Sequence, residues 1–169
     1  MSQQKSLFKS TKESPYHLSV GAVLVDEEGR VACHYFKKFQ VTDEEQKYDD
    51  FYILMRETVE AGEGLEEAVL RGIKEEFGAT GEIEKFVGTL LTKFPRGNVW
   101  VEKTTAYFLI KLKDFDINKR IFDDHEKDSI IEWQSIDFLI AKMEEQKRRF
   151  ERTDFDESEI LKRANKYVS

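Results

Sequence analysis

The feature that most constrains this chain is one amphipathic segment, residues 65–77, set between a strand-like run and a glycine. Leu65, Val69, Ile73 and Phe77 recur at four-residue spacing, which lines them along one face of a helix. Gly78 follows at the place where helices end in a left-handed cap. Before the helix, residues 51–55 (FYILM) form a short apolar strand, which runs into a charged, glycine-bearing turn over 56–64. Strand, tight turn and helix in that order point to an α/β chain in which the helix lies on a sheet.

The flanking segments supply that sheet. Residues 17–25 (HLSVGAVLV) are β-rich, 26–29 carry a turn signal and 30–36 resume strand character, so the pair predicts a hairpin. The polar residues 37–50 read as an exposed loop. Residues 83–91 and 99–112 predict two more strands, joined by a turn at Pro95, Arg96, Gly97 and Asn98. A second loop over 114–127 bears Asp123, Asp124, His125 and Glu126; a short strand over 129–133 and helices over 136–149 and 156–167 complete the chain. The expected architecture is an α/β/α sandwich with a mixed β-sheet between helices. Residues 1–15, rich in Ser, Gln and Lys, read as a flexible leader, and residues 16–169 as one domain.

Composition narrows the partners. A formal net charge of -7 argues against sequence-independent nucleic-acid binding, which needs a basic surface to displace counterions. It is compatible with a small phosphate-bearing ligand if metal ions screen the acidic site. The first 14 residues hold no apolar run, so neither a signal peptide nor a membrane span is expected and the cytoplasm is the expected location. Cys33, the single cysteine, sits among Val31, Ala32 and Tyr35 and reads as a buried strand thiol. His17, His34 and His125 are scattered, without metal-ligand spacing. None of these features sets an oligomeric state.

The stretch that carries chemistry is 57–79, ETVEAGEGLEEAVLRGIKEEFGA. At about 100° per residue, Glu75 and Glu76 flank the direction in which residue 72 points, while Val69, Ile73 and Phe77 turn toward the sheet. Two carboxylates would then border one patch beside a loop. Hard oxygen donors of this kind suit Mg2+ or Mn2+, which can bridge to the oxygens of a diphosphate. A lone pair of adjacent acids reads equally as a solvated helix face. Glu63 and Arg71 suit a two-pronged contact that pins the loop to the helix.

The same stretch resembles the Nudix box, with its family pattern G-x5-E-x7-R-E-U-x-E-E-x-G-U, U being a bulky aliphatic. Glu63, Arg71, Ile73, Glu75, Glu76 and Gly78 fall on the pattern at the required spacing, with Ala79 a smaller apolar residue at its end. Glu60 and Gly62 match a common extension before the first fixed glutamate. The resemblance covers the box closely and residues 17–169 more loosely. It implies a divalent-metal-dependent pyrophosphohydrolase that takes a small nucleotide-type substrate, a nucleoside diphosphate linked to another moiety. It further implies Glu75 and Glu76 as metal ligands, with Glu63 and Arg71 supporting the loop and those acids.

Two positions depart from the pattern: Glu57 replaces the opening glycine, and Gly72 replaces the glutamate after the arginine. In several family members that glutamate is a metal ligand or the general base, so the alternative is a catalytically impaired Nudix domain that binds a nucleotide as a ligand-sensing or regulatory module. Gly72 either leaves room for water, metal or phosphate, or lets a neighbouring element pack closely. Glu57 either restores part of the lost charge or is solvated. The resemblance also allows a base from a later loop before a tryptophan-bearing strand. Here that region is 126–137, with Glu126 or Asp128 in the loop, Glu126 as the candidate base and Trp133 expected in the core. Arg56 and Lys103 are candidate substrate contacts, with Arg96 in a nearby turn; Phe94 or Tyr52 could stack on a base, although each of these residues also suits a solvated or core role.

Overall fold

The computed structural model describes residues 8–41, 45–121 and 126–168. Strand β1 (Tyr16–Val25) and β2 (Arg30–Gln40) form the expected hairpin, with Val25 opposite Val31, and then fork. Beyond the fork β2 takes β3 (Lys47–Ile53) and β7 (Ile130–Ser135) as antiparallel neighbours. β1 instead takes β4 (Met55–Thr58), antiparallel, and β6 (Val99–Phe115), parallel. β5 (Ala79–Arg96) closes the outer edge against β6. Leu54 alone separates β3 from β4, so residues 47–58 run across the mouth of the fork.

The alternation of side chains along β1 builds two cores. Val20, Ala22 and Leu24, with Ala106, Phe108 and Ile110 of β6, face helix α1 (Leu65–Phe77) and bury its Ala68, Val69, Ile73 and Phe77. Val23, Val25, Tyr107 and Leu109 face the other way, against Leu139 and Met143 of α2 (Ile136–Phe150) and Ile160 and Leu161 of α3 (Ser158–Asn165). The mixed sheet therefore lies between helices, as the sequence pattern requires. α1 carries Glu66 and Glu67 in its first turn, favourable to the helix dipole. It stops at Gly78 (φ 67°, ψ 31°), where a side chain would begin 2.1 Å from the Asp116 carbonyl oxygen.

Several expectations change. Residues 37–50 are not one exposed loop. β2 continues to Gln40 and β3 begins at Lys47, because Phe36, Phe39, Tyr48 and Phe51 share an aromatic cluster with Phe155 that needs both strands in register. Strands β5 and β6 are longer than their apolar runs, pairing from Ala79–Phe115 to Arg96–Val99. Trp133 is half-buried, edge-on to Phe115, at the border of the α1-side core. Of the leader over 1–15, residues 1–7 lie outside the described residues, while Ser10 is buried and the Phe8 carbonyl accepts from the Leu18 N–H (2.8 Å). Asp123, Asp124 and His125 also lie outside the described residues. Cys33 is fully buried, and burial pushes its thiol pKa well up. Among the described residues no helix is long and apolar enough to cross a membrane.

One polar residue fastens α2 to the strand that leads toward the fork. Gln146, 0% exposed, accepts from the Tyr52 N–H (2.6 Å) and donates to the carbonyls of Tyr52 (2.9 Å) and Phe155 (3.3 Å). Gln146→Ala takes away all three contacts and opens a void, and is expected to cost about 2–3 kcal/mol of folding free energy, read by urea denaturation. An unchanged midpoint would show that Tyr52 is held without it.

Candidate active site

The turn between β4 and α1 is organised by Arg71. Its Nε and Nη2 each donate to one Glu63 oxygen (2.9 Å both), and Nη2 also reaches the Thr58 carbonyl (2.9 Å). Glu63 in turn accepts from the Glu60 N–H (2.9 Å), so one carboxylate closes the turn and locks it to the helix. The Arg71 hydrogen bonds hold the Glu63 carboxyl below its ordinary range, and those same bonds raise the Arg71 pKa. Glu75 (3.3 Å), Glu57 (3.6 Å) and Glu60 (3.7 Å) crowd around Nη1 of the same guanidinium. Four carboxylates around one cation leave this corner strongly negative.

The two box acids do not share one exposed patch. Glu75 is half-exposed beside Arg71, whereas Glu76 is 4% exposed and its Oε2 lies 2.7 Å from His34 Nε2. The other ring nitrogen of His34 is 2.9 Å from Ser129 Oγ. Arg120 binds the Glu76 carbonyl through Nε (2.5 Å), the Ser129 carbonyl through Nη1 (3.0 Å) and the Glu126 carbonyl through Nη2 (3.2 Å). A polar network thus ties the C-terminal turn of α1 to β2 and to the loop bearing Glu126. His34, Arg120 and Ser129 escaped the sequence reading because they are distant in sequence from the helix and belong to no local spacing. The available signal was a polar residue, His34, within the apolar run of residues 31–36.

The fork between β1 and β2 opens a cavity of about 520 Å³, lined on one side by Glu57, Glu60, Glu76 and Glu126 and on the other by Arg56, Lys103, Arg96, Lys9 and His17. Of the candidate residues, Glu76, Glu126, Arg56 and Lys103 line this one space, while Glu63, Arg71 and Glu75 stand behind the turn that borders it. The two signs of charge follow from strand alternation. Glu57 lies opposite Val20 on the α1 side, and Arg56 lies opposite Gly21, whose β6 partner is Tyr107 on the other side. Burial, then the positive charge of Arg56, brings the Lys103 pKa down to about 7. Burial and the cations Lys103, Arg96, Lys9 and Arg56 lower that of His17 to about 4. His17 is thereby neutral, accepting from the Ser10 N–H at Nδ1 (3.4 Å) and donating from Nε2 to Thr58 Oγ1 (3.1 Å).

Gly72 is buried, and the space beside it is filled. A Cβ there would lie 2.7 Å from Met55 Sδ, 2.8 Å from Met55 Cε and 3.0 Å from Glu57 Cβ. Of the two readings of this glycine, close packing of β4 on α1 is the one the structure realises. Tyr52, a candidate stacking residue, is buried in the α2-side core against Tyr35 (4.9 Å). Among the described residues no three His, Cys, Asp or Glu side chains converge into a cage for a metal ion. The carboxylates of the α1 side nonetheless have the oxygen chemistry a hard cation takes, and magnesium, which keeps several of its waters, needs only one or two of them.

The sequence model of one family, described as the NUDIX domain, matches residues 15–153. Among solved structures, the chain is similar to a NUDIX hydrolase from Nitrosomonas europaea (15% identity, 89% of each chain covered, TM-score 0.60). It is also similar to an Ap4A hydrolase of C. elegans in a binary complex (15% identity, 89% of this chain and 96% of that one, TM-score 0.58). At such identities the likeness is one of fold. No curated protein sequence matches the chain.

Proposed function

The chain belongs to the Nudix family, and from that premise we propose that it is a divalent-metal-dependent pyrophosphohydrolase acting on a nucleoside diphosphate linked to another moiety. The observation that carries the proposal is the bipolar cavity at the fork, where acids beside α1 face the cations Arg56 and Lys103. Such a division suits a phosphate chain. One part of the chain is approached through a metal ion and another is bound directly by nitrogen donors.

In this reading Glu76, from the cavity wall, and Glu75, on leaving its contact with Arg71, would hold Mg2+ or Mn2+, with Glu57 contributing negative charge from β4. Once bound, the ion supplies Lewis acidity toward the bridging phosphate oxygens. Glu63 and Arg71 fix the turn that carries Glu57 and Glu60. Glu126 takes the proton as water attacks one phosphorus; the P–O bond to the bridging oxygen breaks, and each product keeps a phosphate end. Arg56 and Lys103 hold the phosphate that is not attacked.

Purified protein with Mg2+ or Mn2+ and a panel of nucleoside triphosphates, dinucleotides and nucleotide sugars tests the proposal. Phosphate-ended products are expected from at least one compound, with turnover lost on adding EDTA. No turnover across the panel, with or without metal, would overturn the enzymatic reading. Gly72 motivates the second reading, a nucleotide-binding regulatory domain, under which nucleotides raise the melting temperature without being consumed.

A further inference from the structure

A second cavity of about 220 Å³ adjoins the first and shares Phe39, Arg56, Arg96 and Lys103 with it. Its remaining lining includes Phe94 and Asp154. The shared wall is cationic on both sides. Asp154, the acid in this lining, is already bound twice by Arg152 (2.8 and 2.7 Å). Arg96 donates to a neutral partner, Ser10 Oγ (3.1 Å). Among the described residues no carboxylate lies within ion-pair distance of Lys103. Lys103, with Arg56 next to it, therefore faces the cavity without an ion-pair partner, and an anion at the wall would stabilise its protonated form.

The aromatic part is equally defined. Phe39 stacks on Phe51 with centroids 4.4 Å apart and planes 7° from parallel, so one face of its ring is covered and the ring is held in orientation. Phe94 carries the Arg96 guanidinium 5.6 Å over its ring, so cation and aromatic surface meet at the shared wall. A space of this size takes one planar ring and not a whole nucleotide. A longer molecule would have to continue past the wall into the larger, acidic cavity.

We infer that the smaller cavity binds the base of a nucleoside 5′-phosphate moiety, its ring against Phe39 and Phe94 and its phosphate against Lys103 and Arg56. This rests on the pyrophosphohydrolase reading for the nucleotide class and adds the direction of the substrate: base beyond the cation wall, scissile diphosphate on the acid side. Binding at the wall is independent of metal, because nitrogen donors and aromatic carbon make it.

The test uses the full chain in EDTA, where hydrolysis cannot intervene, and reads affinity from melting-temperature titrations. The probes are the four nucleoside 5′-monophosphates, ribose 5-phosphate and inorganic phosphate. At least one nucleotide is expected to bind about tenfold more tightly than ribose 5-phosphate, the usual scale of base–aromatic stacking. Lys103→Met is expected to weaken all phosphate-bearing probes by about tenfold or more. Its unliganded melting temperature should not fall, since the change replaces a buried amine by an apolar side chain of similar length. Phe94→Leu is expected to abolish the advantage of the nucleotide while leaving ribose 5-phosphate unchanged. Equal binding of nucleotide and ribose 5-phosphate, no binding by any probe, or indifference to Lys103→Met would each overturn the inference. Glu76→Gln separates the two readings: it should retain nucleotide binding in EDTA whether or not the wild-type protein proves to be a hydrolase.

Discussion

Glu76→Gln is expected to lower metal-dependent turnover by about three orders of magnitude while leaving the fold intact. The side chain is almost isosteric, and its amide can still contact His34, so the 2.7 Å contact between strand and helix is replaced and not simply lost. What disappears is a carboxylate oxygen able to bind a cation in a buried position. Removing a metal's charge partner there withdraws several kcal/mol of transition-state stabilisation, which at about 1.4 kcal/mol per decade gives the expected loss. Initial rates at saturating Mg2+ and Mn2+, alongside thermal melts, check both halves. Activity near the wild-type level would show that Glu76 is not the metal ligand.

Gly72→Glu restores the residue the Nudix box carries at this position, yet it is expected to lower both stability and turnover. A Cβ at position 72 meets Met55 and Glu57 Cβ at 3.0 Å or less, and such overpacking commonly costs about 1–3 kcal/mol. Replacing a helical glycine returns about 1 kcal/mol, which does not offset the larger value. Glu57→Gly in the same chain removes one of the two obstacles, and Met55, unbranched, can swing its thioether away. The double variant is therefore expected to recover stability and turnover relative to Gly72→Glu, with a coupling energy of about 1 kcal/mol or more in a double-mutant cycle. The departures at 57 and 72 are then two halves of one exchange, a side chain moved from helix to strand. Additive effects of the two changes would show that the positions are independent, and higher turnover from Gly72→Glu alone would show that position 72 has room for a side chain.

The helix and its cap were legible because their signals are local. Apolar residues every fourth position and a glycine at the end suffice, and α1 spans the expected residues. The Arg71–Glu63 clamp was legible for the same reason, through eight residues of fixed spacing. Residues 37–50 misled because Lys47, Asp49 and Asp50 make the stretch polar on average, while Tyr48 and Phe51 are committed to an aromatic cluster completed by Phe155, a hundred residues away. The environment of Glu76 was illegible in the same sense. Its partner His34 comes from a strand that reaches the helix only because β2 leaves β1 after the hairpin. The role of Gly72 could not be decided from sequence either, since what fills the space is a methionine on another element.

Arg56 and Glu57 stand side by side along β4, yet one points to each surface of the sheet, and both reach a common opening because the sheet is parted there. The orientation of the cavity's dipole is consequently written in backbone pairing. The Leu54 N–H bound to Glu157 (2.9 Å) and the Thr58 carbonyl bound to Arg71 anchor that phasing at its two ends. Inserting or deleting one residue between those anchors would reverse the polarity of the opening, turning the carboxylate toward α3 and the guanidinium toward α1 while hardly altering the chain's chemical make-up.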